Sequence, residues 1–458
     1  MTTHRYVHRS QLPVSCQEAF AWHEREGAFQ RLVPPWENVR LRYRSGSIAD
    51  GDEVHLVTRL GPLSATWIAQ HFDYQPGSQF SDRQLKGPFA CWVHRHGFTP
   101  SGEQACVLED RVDYALPLGW LSQLAGGRLV RRRIERMFAY RHRVTQADLA
   151  SHHRFHDRPS MKILISGSSG LVGSQLAAFL STGGHRVLRL VRREPQADEI
   201  RWDPAAGELD AASLEDLDAV IHLAGENIAQ RRWTSAQRQR IRDSRVASTH
   251  LLSQTLARLQ RPPQTLINAS AIGYYGNRGD QVLDEDAPAG NGFLADVCRQ
   301  WEAATDPAQN AGVRVVKLRI GVVLTPSGGA LKQMLLPFRT GCGGRVGSGK
   351  QFWSWISIDD LLGIVHHALM TEGLCGPVNA VAPHPVTNAE FTKTLGHVLH
   401  RPTLLPLPRF AARIALGQMA DDLLLSSSRV VPQKLSDANY DFRHPTLERA
   451  LSHLLGRT

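Results

Sequence analysis

Apolar and polar positions alternate through the first third of the chain. On this pattern Asp52–Val57 and Cys106–Val112 read as strands. Helical spacing follows, with Val130, Ile134, Met137 and Phe138 on one face, and predicts a helix over about 121–143. The polar stretch SHHRFHDRPS, residues 151–160, reads as a linker. From Met161 short apolar runs alternate with helical segments, a βαβ rhythm that continues to about Val323. Beyond about Pro402 a further helix is predicted at Phe410–Leu416. No internal repeat and no low-complexity segment interrupts the chain. The expected organisation is a first domain over 1–148, a linker over 149–160, a second domain over 161–400 and a tail over 401–458.

The start of the second region carries the clearest chemistry. MKILISGSSGLVGSQLAAFLSTGGHRVLRLVRR, from Met161 to Arg193, reads as strand, glycine turn, helix, strand. The apolar run Ile163–Ile165 ends at Gly167, and Gly170 and Gly173 follow at the spacing G-x-x-G-x-x-G. One glycine permits a tight turn, one lets backbone approach a pyrophosphate, and one lets the helix pack close to the strand. Free N–H groups and the positive end of the helix then hold phosphates. Gly167, Ser168, Ser169, Gly170, Leu171, Val172 and Gly173 are therefore candidate cofactor-binding residues. The implied fold class is α/β, a Rossmann-type doubly wound parallel sheet with a small C-terminal substrate or tail subdomain.

The second strand bears on which dinucleotide is held. NAD-binding folds usually end this strand in Asp or Glu, which grips the ribose 2′-OH. Here Val187–Val191 ends in Arg192–Arg193, with no carboxylate before Glu194. A guanidinium fork suits a 2′-phosphate, a contact of about 1.5–3 kcal/mol. That corresponds to roughly 10- to 100-fold preference for NADP(H) over NAD. The plain alternative is an arginine pair in solvent.

Length and composition set the frame. At 458 residues two or three domains are expected. No apolar run reaches ~18 residues, so no membrane span is expected. The opening MTTHRYVHRSQLPVS has no apolar core of a secretory signal. Six scattered cysteines make no metal-binding spacing, so a cytoplasmic chain with reduced thiols and no metal is the expectation. The net charge of +10 suits an anionic ligand such as NADP and argues only weakly for nucleic acid. Arg128, Arg131, Arg132, Arg133, Arg136, Arg141 and Arg143 crowd the first predicted helix, by default as a solvated face. Gly344–Lys350 fits G-x-x-x-x-G-K, but Gln351 follows in place of Ser or Thr, so no triphosphate site is expected.

Two family resemblances follow from quoted motifs. Pro34–Glu37, Gly87–Phe89, Trp92–His96 and the long helix after them resemble the helix-grip fold, the START-like, polyketide-cyclase-like or SRPBCC superfamily. The resemblance implies an α+β domain whose antiparallel sheet curves around a helix and leaves a cavity for a small apolar ligand. Trp92, His94 and His96 alternate and so share one strand face. A metal pair there has no third ligand placed by the sequence.

Further along, Asp218–Glu226 resembles the fourth strand of extended short-chain dehydrogenase/reductases, which ends in a small-residue turn against the cofactor. That implies Leu223, Ala224, Gly225 and Glu226 as cofactor neighbours. Ile241–Thr249, Ser270–Gly276, Leu318–Val323 and Ser354–Asp360 follow in the family's order and spacing. More narrowly they resemble its atypical, epimerase-like branch, the NAD-dependent epimerase/dehydratase type, which also carries a tail domain of unassigned function.

The family's Tyr-x-x-x-Lys pair is degenerate here. Anchoring on Glu302 puts Leu294 at the tyrosine and Cys298 at the lysine, and Arg245 stands where Asn is usual. Leucine has no proton to give, and cysteine cannot replace an ammonium. Ser270 lies near the family's serine. The remaining candidate catalytic residues are Ser270, Tyr274 (or its neighbour Tyr275) as replacement acid with Arg245 lowering its pKa, and Cys298 as a thiolate near Arg245. Packing roles for Cys298 and both tyrosines are the alternative. Two functions stay open: an NADP(H)-dependent oxidoreductase or epimerase-like enzyme acting on a small-molecule substrate, and a non-catalytic NADP-binding sensor with a degenerate site. The oligomeric state is not legible.

Overall fold

The computed structural model describes residues 3–60, 63–117, 120–229 and 231–457. The chain divides into two compact units, one of Met1–Pro159 with Ala178–Gly184 and one of Ser160–Ala177 with His185–Arg457.

Alternating side chains build the first unit. Strand β1 (His4–Leu12) alternates exposed and half-buried positions along its length. Helices α1 (Cys16–Glu24) and α2 (Ala28–Leu32) follow. A meander of β2 (Val39–Arg44), β3 (Glu53–Leu60), β4 (Leu63–Gln75), β5 (Gln79–Lys86), β6 (Cys91–Pro100) and β7 (Cys106–Ala115) comes next. The sheet order is β1-β7-β6-β5-β4-β3-β2, antiparallel at every pairing. Period-two alternation buries Trp92, His94, His96 and Phe98 on β6, and Leu108, Asp110, Val112 and Tyr114 on β7. Ile134 and Phe138 of the long helix α3 (Trp120–His153) pack on Trp92, Val112 and Tyr114.

Helix α3 runs to His153 rather than Arg143, so it takes in the start of the expected linker. The reason is that Val144, Asp148 and Leu149 prolong its buried stripe. Asp148 accepts two bonds from Arg31, Nε to Oδ2 at 2.7 Å and Nη2 to Oδ1 at 3.0 Å, with both side chains almost fully enclosed. A two-point guanidinium–carboxylate pair is the arrangement that tolerates burial.

The second unit is wound on a parallel sheet. Its first half runs β8 (Lys162–Ser166), α4 (Leu171–Thr182), β9 (Arg186–Val191), β10 (Glu199–Asp203), β11 (Glu208–Leu209), β12 (Ala219–His222), α5 (Ser235–Leu256) and β13 (Thr265–Ala271). Then come β14 (Val282–Leu283), α6 (Phe293–Ala303), α7 (Asp306–Asn310), β15 (Arg314–Ile320), β16 (Val322–Leu324), α8 (Gly329–Arg339), β17 (Phe352–Trp353), β18 (Trp355–Ser357), α9 (Ile358–Met370) and β19 (Gly376–Ala380). The main sheet has the order β11-β10-β9-β8-β12-β13-β15-β19 and is parallel from β10 through β19. Leu164, Val220, Leu266 and Val315 pack with Leu252 and Leu256 of α5. Their strand neighbours Ile163, Ile221, Ile267 and Val316 are equally buried, so both sheet faces are covered, as parallel sheets require. Strand order reverses between β8 and β12, and such a switch point opens a crevice at the strands' carboxyl ends.

Strand β20 (Val386–Thr387) and helix α10 (Asn388–Leu399) follow, and the tail adds α11 (Arg409–Leu416), β21 (Arg429–Val430), α12 (Gln433–Asp437) and α13 (Leu447–Leu455). It lies within the second compact unit. Strand β21 pairs with β14, and the Ser428 hydroxyl donates to the Gly276 carbonyl at 2.7 Å. Among the described residues no helix is long and apolar enough to cross a membrane.

Replacing Asp148 by Ala removes the two-point carboxylate partner of the buried Arg31. The expected loss is about 3–5 kcal/mol of stability in urea unfolding. A loss within ~0.5 kcal/mol, the range of an ordinary surface change, would contradict this account of the pair.

Candidate functional site

The crevice is shaped by backbone clearance. Gly167 follows β8 with φ +69°, a left-handed turn that side chains rarely tolerate. A Cβ there would stand 2.9 Å from the Leu223 carbonyl carbon and from the Ala224 nitrogen. A Cβ on Gly173 would collide with the Gly167 carbonyl, so the start of α4 sits directly on the turn. The Gly170 N–H closes that turn on the Gly167 carbonyl at 2.9 Å. Ser169 and Gly170 are exposed, Leu171 and Val172 half-buried, and Ser168 buried. The N–H groups of the helix's first turn have no intrahelical acceptor and are left for an anion.

A buried histidine joins the two strands at the switch point. The Ser166 hydroxyl donates to His222 Nδ1 at 2.6 Å and accepts from the Leu223 and Ala224 N–H groups at 3.1 and 3.3 Å. His222 Nε2 donates to Ser248 at 3.2 Å, whose own proton goes to the Ser244 carbonyl. Burial pushes the His222 pKa down to about 3, so the ring is neutral and this tautomer closes the chain of bonds. Next in the loop, Glu226 N–H donates to Ser244 and the Glu226 carbonyl accepts from Arg245 Nη2 at 2.9 Å.

The two arginines after β9 have different situations. Arg193 donates to Glu199 at 2.6 Å and to the Glu194 carbonyl at 2.8 Å. Arg192 is exposed, and no carboxylate engages it among the described residues. Of the pair expected to clasp a 2′-phosphate, only Arg192 is uncommitted.

The candidate catalytic set is rearranged more deeply. Leu294 and Cys298 lie one turn apart on α6 and face Gly273, in the 3-10 turn Ile272–Tyr275. Burial first, and then Glu302, pushes the Cys298 thiol up to about 12, more than Arg245 offsets, so the thiolate reading fails. Arg245 does not serve the tyrosines: it holds the Ile241 and Glu226 carbonyls and lies over the Trp301 ring at 5.1 Å. The Ser270 hydroxyl is spent on Glu302 at 2.7 Å. The arginine that meets the tyrosines is Arg319 of β15. It grips Glu302 at 2.9 and 3.0 Å, donates to the Tyr275 hydroxyl at 2.8 Å, and stacks 3.5 Å from the centre of the Tyr274 ring. Burial opposes its charge, but Glu302 and Tyr275 prevail and raise its pKa. Tyr275 also donates to Asn379 at 2.7 Å, is fully enclosed and is pushed by burial up to about 12. Tyr274 is half-buried, and its hydroxyl has no protein partner among the described residues. Sequence reasoning missed Arg319 as a site residue, because nothing in its spacing links it to Tyr274.

The first unit encloses a cavity of about 930 Å³. Phe29, Leu32, Val54, Leu56, Trp67 and Met137 contribute apolar lining. One wall is polar, with His23, His71, Asp82, His94 and His96. Asp82 supplies the neighbour to His94 and His96 that the sequence could not place.

A glycine turn between the first strand and helix of a parallel sheet, opening at its switch point, defines a dinucleotide-binding α/β protein. Residues 163–378 match the NAD dependent epimerase/dehydratase family, and 407–454 match a domain of unknown function, DUF1731. An epimerase family protein of Mycobacterium bovis is 49% identical over 296 residues, covering 64% of this chain and 98% of that protein. The chain belongs to the NAD dependent epimerase/dehydratase family. A nucleoside-diphosphate sugar epimerase from Corynebacterium glutamicum has a similar solved structure, with 34% identity and a TM-score of 0.81 over 98% of this chain and 90% of that one. That likeness extends through both units. Human epimerase family protein SDR39U1 (isoform 2), solved with NADPH, is 36% identical with a TM-score of 0.59 over 64% of this chain and 99% of that one.

The His222 ring gives a pH test. Its folded pKa lies below the unfolded value, so the unfolded chain takes up a proton from about pH 6.5 downward while the folded chain does not. This group's contribution is intact above pH 6.5 and is lost on acidification at up to about 1.4 kcal/mol per pH unit. Between pH 7 and pH 5 the wild type should lose about 2 kcal/mol more than His222→Asn in denaturant unfolding. Equal losses would contradict the buried neutral ring.

Proposed function

We propose that the second unit is an NADP(H)-dependent oxidoreductase or epimerase-like enzyme of the atypical short-chain dehydrogenase/reductase branch. The observation that carries this reading is the glycine turn itself: backbone occupies the space any Cβ at 167 or 173 would need, and the first turn of α4 is left open to an anion. The human relative solved with NADPH supports the choice of cofactor. When bound, such a cofactor supplies hydride transfer. The chain's own part is positional. Residues Gly167–Gly173 hold the pyrophosphate, Arg192 neutralises the 2′-phosphate, and the Leu223–Glu226 loop is held in place by Ser166 and Arg245. Tyr274 is the group able to give a proton at its hydroxyl, with its ring held against the Arg319 guanidinium.

A second reading, a non-catalytic NADP-binding sensor, is favoured by Leu294 and Cys298 standing where the family's proton-transfer pair would be. The buried, protonated thiol cannot do an ammonium's work. For the first unit we propose the helix-grip, SRPBCC-like assignment, supported by its antiparallel sheet, long helix and cavity, with a small apolar molecule as ligand.

Arg192→Asp should weaken NADPH binding by roughly 10- to 100-fold while NADH binding holds, as read by fluorescence titration. Arg193→Asp should change little, since Arg193 is already paired. Equal affinity of the wild type for both nucleotides would overturn the assignment of Arg192. Tyr274→Phe should abolish NADPH oxidation across a carbonyl and sugar-nucleotide panel while binding persists. Binding with no turnover by the wild type across that panel would favour the sensor.

A further inference from the structure

The polar wall of the first unit's cavity is built by strand register. Strand β5 sets Asp82 directly across from His94 and Phe80 across from His96. Strand β7 sets Asp110 across from His96 on the other side. Strand β4 adds His71 beside Asp82. Two imidazoles two residues apart on β6 are thus flanked by a carboxylate from each neighbouring strand. His94 and His96 are 3% and 7% exposed, and the Asp82 side chain 16%.

Distances within this cluster are short. Asp82 Oδ2 lies 3.1 Å from His94 Nδ1, and one donor atom each from Asp82, His94 and His96 falls within 4.8 Å of the others. Behind them, Asp110 Oδ1 lies 2.7 Å from His96 Nδ1 and 3.3 Å from His94 Nε2, while Oδ2 accepts from His142 at 2.9 Å. Phe80 stacks on the His96 ring at 4.1 Å and limits its rotation. Asp110 Oδ1 thus faces one nitrogen of each ring at ion-pair distance, short of hydrogen-bond alignment. His94 Nε2, His96 Nδ1, Asp110 Oδ1 and His71 Nδ1 are sealed from solvent without an aligned hydrogen bond. Asp110 engages one nitrogen of each ring, which leaves the second nitrogen of each for a ligand, that of His94 being beside Asp82.

We propose that Asp82, His94 and His96 form a binding site for one divalent transition-metal ion in the wall of the first unit's cavity. Two imidazoles and one carboxylate are a donor set that suits zinc or ferrous iron, and three protein ligands leave a coordination position open. All three residues line the cavity, so that position faces a chamber suited to an apolar molecule with an oxygen-bearing head. Asp110, against both rings, is the positioning carboxylate that metal-bound histidines ordinarily have. The site is independent of the dinucleotide crevice and of the reading given to it.

The test uses the full chain, stripped with chelator and titrated with Co²⁺ and then Zn²⁺. Calorimetry should show one stoichiometric site. The cobalt form should show weak visible d–d bands without thiolate charge transfer, and zinc should raise the melting temperature. His96→Gln and Asp82→Asn should each lose the site, and Asp110→Asn should weaken it about 10- to 100-fold. His453→Gln, in the separate Asp359–His444–His453 cluster, should leave it intact. No stoichiometric uptake by the folded wild type, a thiolate spectrum, or unchanged uptake in both ligand variants with native circular dichroism would overturn the proposal. The wild-type titration decides even if a variant fails to fold.

Discussion

The second unit depends on one constraint, the absence of a side chain at Gly167. The residue sits in a left-handed turn with the Leu223–Ala224 backbone on one side and the start of α4 on the other. Any substituent would push apart the two strands that meet at the switch point. Because backbone meets backbone there, the Ser166 hydroxyl can reach both His222 and the N–H groups of the next loop. The crevice, the amides at the start of α4 that lack an intrahelical acceptor, and the crevice floor thus share one steric cause.

The second unit also holds a packed polar network. Glu302 ties Ser270 to Arg319, Arg319 ties Glu302 to Tyr275, and Tyr275 ties Arg319 to Asn379. Each of those groups is buried and satisfied, which gives rigidity at the expense of reactivity. Tyr274 alone keeps a hydroxyl that is half-exposed and free of protein partners among the described tyrosine pair. The network fixes Arg319 against the Tyr274 ring.

The first unit shows the same economy in another material. Period-two alternation on β5 and β6 brings Asp82, His94 and His96 together in the lining of a largely apolar chamber. A buried Arg31–Asp148 pair elsewhere in this unit is closed and complete, whereas the Asp82–His94–His96 wall contains atoms that remain unsatisfied.

Local order was legible from the chain alone. Glycine spacing after an apolar run announced the dinucleotide turn, and alternation placed Trp92, His94 and His96 on one face, because strand and helix periods act over a few residues. The end of α3 was misjudged, since polar residues conceal a buried stripe whose partner, Arg31, lies far away in sequence. The roles of Arg192 and Arg193 separated only when folding brought Glu199 to one of them. Arg319, not Arg245, meets the tyrosines for the same reason, and Asp82 joined the histidines through strand register. Sequence determines which groups a segment presents; which of them meet, and which stay unpaired, is decided by contacts between residues that no local pattern connects.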